Sequence, residues 1–205
     1  KLIAYQEQLS RTDSNIGIIA PLPFEPATKH LIHGLIHNGF ELSSIDPIFC
    51  QKDFYKCDAV IASGSLVNLR AAQSVTLPNA NLFIDAVDWD YCLNFREQGF
   101  EIVVITHASM LHHYAKCEIR KFLFTEKNIL VHNYSPLRRY YICRNHTYIL
   151  RKHAKSSALL SLYISRVVYL IKTILKVSCY ESEDKKTKIK ACILGTIDGF
   201  RSYIR

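Results

Sequence analysis

The sequence predicts an α/β domain followed by a helical tail, on three observations. Short apolar runs alternate with segments of helical period as far as residue 134 or so, the pattern of strands and helices sharing one core. Ser135-Pro136 then opens a stretch that stays helical, with Ser as the N-cap and Pro at the first helical position. The 205 residues are 49% hydrophobic and 21% charged with few Gly and Pro, which excludes disorder and fibrous repeats and leaves room for one real core plus an appendage. The division expected from this is residues 1–134 and residues 135–205.

Taken in order, Asn15 to Ala20 (NIGIIA) is an apolar run that stops at Pro21 and reads as a buried strand. Leu31, Ile32, Leu35 and Ile36 recur at helical spacing and end at Asn38-Gly39, which predicts a helix. Asp58 to Ala62 (DAVIA) reads as a second buried strand, followed by the Ser63-Gly64-Ser65 turn and a helix over Leu66 to Gln73. Asn81 to Ile84 is expected as a short strand, Trp89 to Gln98 as a helix closed by Gly99, and Phe100 to Ile105, rich in β-branched residues, as the next strand. Arg120–Phe124 and Ile129–Asn133 suggest a hairpin about Thr125-Glu126-Lys127-Asn128. From Ser135-Pro136 a helix is expected to run to about Val177, with Glu181 to Lys190 as a solvated charged loop and a last helix in Ala191 to Arg205.

Lys1 opens the chain and Met110 is its single methionine, so a segment upstream of Lys1 is expected. No secretory signal opens it, because Tyr5, Gln6, Glu7 and Gln8 break the first apolar run. The seven cysteines have no two-residue spacing of a zinc or redox motif, and scattered as they are they suggest small core residues in a reducing compartment. The formal charge is +8, with the excess mostly from Arg138 onward, which suits an anionic lipid surface, a phosphorylated substrate or nucleic acid. No zinc motif or aromatic-rich RNA-binding signature accompanies it, so nucleic acid is not expected as a partner.

The stretch with the most chemistry in it is Phe83-Ile84-Asp85-Ala86-Val87-Asp88-Trp89-Asp90-Tyr91-Cys92-Leu93. Three carboxylates fall where a strand gives way to a helix, the end of an open α/β sheet at which ligands bind. The first-turn N–H groups favour an ionised carboxylate there, able to take a proton from a hydroxyl nucleophile. The plain alternative is N-capping by Asp85 or Asp88, with Asp90 on a solvated face.

This segment resembles the F-[FI]-D-x-V-D-[IW]-[DE]-Y-C-L stretch of family-two, rhamnosyltransferase-like glycosyltransferases. Further matches follow the same order. Ser63-Gly64-Ser65 resembles the T-S-G-S turn, Arg96-Glu97-Gln98-Gly99-Phe100 the R-x-x-G-[YF] that closes the catalytic helix, and Ala108-Ser109-Met110-Leu111-His112 the A-x-M-x-H segment. Ser135 to Asn145 (SPLRRYYICRN) is similar to S-P-x-R-x-Y-Y-x-x-R-N almost position by position.

The resemblance implies an inverting enzyme of the GT-A (Rossmann-like) fold, here incomplete and followed by a helical C-terminal tail. It implies Asp88 as the base that deprotonates the acceptor hydroxyl, and His112 as a ligand to the Mg²⁺ or Mn²⁺ on the donor diphosphate. Ser63 and Gly64 would line the acceptor side, with Asp85, Trp89, Asp90, Arg139 and Arg144 also on the substrate side. The donor implied is a dTDP-rhamnose-like nucleotide sugar and the acceptor a lipid-linked saccharide, as in lipopolysaccharide O-antigen synthesis on the inner face of a bacterial cytoplasmic membrane. The family's nucleotide-binding half, with its D-x-D motif, would lie upstream of Lys1, so the isolated chain is expected to be inactive.

In the tail, Ala158 to Tyr180 is long and apolar but interrupted by Arg166, Lys172 and Lys176, which suggests an amphipathic helix on an anionic membrane surface rather than a span. A helix packed on its own domain, or in a homo-oligomer, is the other reading. Two other functions fit parts of the sequence: a non-enzymatic basic module that binds a membrane surface, and a metal-dependent hydrolase using Asp85, Asp88, Asp90 and His112. The second lacks a visible second ligand cluster.

Overall fold

The computed structural model describes residues 2–12, 15–26, 28–113, 118–121 and 128–201. They form a mixed α/β protein that divides into two compact units. The first comprises residues 1–38, 42–80 and 87–112, and the second residues 39–41, 81–86 and 113–205.

In the first unit, helix α1 (Leu2–Thr12) leads into strand β1 (Ile16–Glu25), which the run of Asn15 to Ala20 predicts and which extends through two prolines beyond it. Strands β2 (His30–Leu31), β3 (Leu35–His37), β4 (Leu42–Ser44), β5 (Phe54–Cys57) and β6 (Leu66–Val67) are short. Helices α2 (Leu69–Ala72) and α3 (Val87–Glu97) and strand β7 (Glu101–Leu111) complete it. The central sheet runs β2-β1-β7-β5, with β6 also on β1; β1 and β7 are parallel and the other pairs antiparallel.

Alternation along β1 and β7 sends side chains to both faces, and both faces are covered. Ile18, Ala20, Leu22, Ile102 and Val104 pack with Cys92 and Phe95 of α3, and Ile16, Ile19, Val103 and Ile105 pack against Leu2 and Tyr5 of α1. Phe95 of α3 lies directly against Gly17, where a Cβ would run into its ring.

Three expectations change here. The helix expected over Leu31–Ile36 is replaced by β2 and β3, because Gly34 sits against the β5 side chains. Its N–H donates to the Tyr55 hydroxyl at 3.0 Å, and a Cβ would meet Cys57 Sγ at 2.7 Å. The spacing of Leu31 and Leu35 fits a helix, but these residues reach the core from extended backbone. The strand expected at Asp58–Ala62 lies earlier, at β5; Ala59 and Val60 are buried, with only a bridge from Ala59 to Leu35. In place of a helix from Leu66, β6 pairs with β1 and Asn68 caps α2.

In the second unit, strands β8 (Glu118–Lys121) and β9 (Asn128–Val131) form the expected antiparallel pair; most of the turn placed at Thr125–Asn128 lies outside the described residues. Helices α4 (Pro136–Lys152), α5 (Leu159–Tyr180) and α6 (Lys185–Arg201) follow. Ser135 caps α4 as expected, its hydroxyl accepting from Arg138 N at 3.3 Å. The single helix expected to Val177 is broken at His153–Ala158. The strand expected at Asn81–Ile84 is a short 3-10 turn, Ala80–Leu82, running into left-handed backbone at Phe83, Asp85 and Ala86.

The segment expected as a solvated loop is also different. Glu181 is 1% exposed and Lys188 3%, and α6 begins at Lys185. Glu181 accepts from Arg139 of α4 and faces Lys188 Nζ at 2.8 Å, so one carboxylate ties the two buried cations together. Helices α4 and α6 cross backbone to backbone at two glycines: a Cβ on Gly195 would lie 2.3 Å from Tyr140 O, and one on Gly199 2.5 Å from Arg144 O. Cys50, Cys57, Cys92, Cys143, Cys179 and Cys192 are free thiols, four of them buried as small core residues.

Candidate active site

Asp88 stands in the first turn of α3. Its Oδ2 accepts from Ala62 N at 3.3 Å and its Oδ1 from Trp89 N at 3.0 Å. The carboxylate thus accepts from two backbone N–H groups at the N-terminal, partly positive end of the helix. Because Ala62 immediately precedes Ser63-Gly64, the carboxylate and the small-residue turn expected on the acceptor side come together.

The turn holds this place for a steric reason. Ser65 closes it by donating its N–H to Ala62 O at 3.1 Å and its hydroxyl to Ile61 O at 3.0 Å. Gly64 has φ +71°, where L side chains are strained, and a Cβ there would meet Met110 Sδ at 2.8 Å and Pro21 Cγ at 3.1 Å. Ser63 and Gly64 are both exposed, so the turn is lined by backbone that a substrate can reach.

Around this point the helix is firmly seated. Trp89 packs on the core, and Asp90 is buried at 1% exposure, inside the unit and not on the solvated face considered above. Burial pushes the Cys92 thiol up to about 12, and the Asp88 charge adds to the same effect. Arg96, which resembles the arginine of the R-x-x-G-[YF] segment, closes α3 onto the sheet through Asp58 at 2.9 Å and Glu101 at 2.7 Å. Gly99 follows at φ +81°, the left-handed residue that ends the helix. His112 lies just past the end of β7, its N–H donating to Phe24 O at 3.0 Å.

The other three predicted site residues belong to the second unit. Asp85 is held by Arg138, with Nε 3.0 Å from Oδ2 and Nη2 3.3 Å from Oδ1. Arg139 is buried and committed to Glu181. Arg144 donates to Asn81 O at 2.7 Å and to Asn145 Oδ1 at 2.8 Å. Ser63, Gly64 and Asp88 are thus assembled in one unit, whereas Asp85, Arg139 and Arg144 are engaged in the architecture of the other.

Reasoning from the sequence assigned no role to Asn145, the last residue of the SPLRRYYICRN segment. Its amide donates to the carbonyls of Leu82, Ile84 and Asp85 at 2.7, 2.7 and 3.0 Å. This clasp, with Arg138 on Asp85 and the Tyr141 ring on Phe83 (centroids 5.2 Å apart), holds the left-handed stretch of backbone. The signal was the Arg138-to-Asn145 pattern itself, which spaces these donors along one side of α4.

A divalent cation would need more ligands than His112. Among the described residues no three of His, Cys, Asp and Glu come together to hold a metal ion.

No family model matches the chain. It is 33% identical over 148 residues, 72% of its length, to dTDP-rhamnosyl transferase RfbF of Shigella flexneri. The matched region is 47% of that protein, so the chain spans about half the length of the curated relative it matches. That similarity supports a glycosyltransferase-family relationship for this chain.

Proposed function

We propose that the chain is the acceptor-side part of an inverting GT-A glycosyltransferase that moves rhamnose, or a similar deoxyhexose, from a dTDP-linked donor to a lipid-linked saccharide of a surface polysaccharide. The observation that carries this reading is the meeting of Asp88 with the Ser63-Gly64 turn through Ala62 N, in a chain similar to a dTDP-rhamnosyl transferase.

The chemistry follows from where the carboxylate sits. The acceptor hydroxyl lies over the exposed Ser63-Gly64 backbone and gives its proton to Asp88. Its oxygen forms the new bond to the anomeric carbon from the face opposite the nucleotide. The bond from that carbon to the diphosphate breaks, the nucleoside diphosphate keeps the electron pair, and the configuration inverts. Mg²⁺ or Mn²⁺ would supply charge neutralisation at the departing diphosphate. His112 alone does not make that site. Asp85, Arg139 and Arg144 act in this reading by shaping the helical unit, not by touching the sugar.

The test is transfer of labelled rhamnose from dTDP-rhamnose to a membrane-derived acceptor by the protein that carries this chain. Asp88→Asn is expected to lower kcat by about 10²- to 10⁴-fold, with donor KM and melting temperature little changed. Unchanged kcat in a folded Asp88→Asn protein would overturn the assignment.

A further inference from the structure

Helix α5 is built inside out. Its buried side carries Leu162, Arg166, Thr173, Val177 and Tyr180. Arg166, 4% exposed, donates to Thr147 Oγ1 at 3.1 Å and lies over the Tyr169 ring at 4.3 Å. The outward side is apolar: Leu160 is 73% exposed, Ile164 57%, Ile171 52% and Leu175 58%, with Val167 and Val168 beside them. At 100° per residue these six side chains fall within an arc of about 100°, with Lys172 on its flank.

Helix α6 presents a second stripe. Ile193, Leu194 and Ile197 are exposed, and a shallow groove is lined by Lys186, Ile189, Lys190, Ile193 and Leu194. Tyr163 stacks on Phe200 at 4.8 Å, making the seam between the two helices apolar as well.

We infer that this face docks on an anionic lipid bilayer, with α5 lying flat in the interfacial layer. Charge decides among possible occupants. Helices α4 and α5 contain no acidic residue, and Asp198, the one acid of α6, accepts from the Tyr140 hydroxyl at 2.8 Å. Lys172, Lys186 and Lys190 are exposed beside or within the apolar stripes, suited to lipid phosphates. A second copy of the same face would bring these cations against one another.

Ser156–Tyr180 is long and apolar enough to cross a membrane. Crossing would carry Arg166 away from Thr147 and into hydrocarbon, whereas lying flat leaves it buried. The inference is independent of the transferase reading, because neither donor nor acceptor enters it.

The experiment is flotation of the 205-residue chain with vesicles of phosphatidylcholine alone or with about 30% phosphatidylglycerol added. Partition into the anionic vesicles should be at least about tenfold stronger and weaken with salt. Ile164→Glu with Ile171→Glu, both at exposed positions, should abolish it while leaving the helical circular dichroism unchanged. Should that pair unfold the protein, Ile164→Ser with Ile171→Ser makes the same test. Lys172→Glu with Lys190→Glu should remove the preference for anionic lipid. Absence of vesicle binding by the folded chain overturns the inference, as does a solution dimer that Ile164→Glu with Ile171→Glu dissolves while vesicle binding persists.

Discussion

The two units of the chain both bury polar side chains, Asp90 and Asn94 in the first among them, but differ in how far they rely on them. The sheet unit buries Ile, Val, Leu and Phe on both faces of β1 and β7 in the ordinary way. The helical unit places Arg139, Glu181, Lys188, Arg166, Asn145 and Thr147 inside, and turns the apolar side of α5 outward. Hydrophobic burial is tolerant of position, because it depends on area. A buried ionic lock is not, because each member is satisfied only by the others. The first unit should therefore yield gradually to substitution, and the second should fail when the carboxylate that two cations share is removed.

The largest test of that contrast is Glu181→Leu. It strands Arg139 and Lys188 as buried, unpaired charges and should cost about 3–5 kcal/mol, measured by urea unfolding followed through helical circular dichroism. Replacing all three together, with Arg139→Met and Lys188→Leu added, should restore most of the loss.

A smaller effect, of about 1–3 kcal/mol, is expected for Gly195→Ala. The added methyl meets a backbone oxygen of α4, so the helices must part. Gly17→Ala in the sheet unit meets the buried Phe95 ring and the Phe100 Cβ, which are side-chain atoms and not backbone. Thermal melts of the two variants should show the larger drop for Gly195→Ala; equal drops would erase the distinction between the units.

The smallest effect is set by pH. Burial, with Lys176, Arg139 and Arg138 nearby, lowers His132 to about 4, so the folded unit holds it neutral. The unfolded chain takes up the proton near 6.5, and between those values the unfolded state binds more protons. The stability this histidine contributes is full above about pH 6.5 and lost as pH falls towards 4, on the order of 1–2 kcal/mol allowing for its partial exposure. His132→Gln should flatten the melting temperature over that range.

The same contrast explains what could be read from the sequence. The order β1, α3, β7, α4 was legible, because apolar runs, the Ser135-Pro136 cap and the Gly99 stop are local signals. Asp88, Ser63 and Gly64 could be located from their resemblance to a family pattern, and the fold brings that carboxylate to that turn. The misreadings have tertiary causes. Gly34 is extended because Tyr55 and Cys57 lie against it. Glu181 to Lys190 has the composition of a solvated loop, yet Glu181 and Lys188 are interior because Arg139, more than forty positions earlier, completes the lock. Composition carries no record of which charge will meet which. Asn145, to which Arg144 donates, was not legible either, because its clasp on three carbonyls depends on left-handed backbone that no propensity announces.

The shared Glu181 carboxylate also constrains how such a chain can change over descent. Glu181 can drift only through an intermediate with two orphaned interior cations, whereas loss of either cation leaves the carboxylate one partner, so the single step at Glu181 leads downhill in fitness while the concerted triple step is nearly level. Lineages should therefore either retain Glu181 with a cation beside it or have exchanged the whole set for apolar residues, with few sequences that keep both cations without the carboxylate.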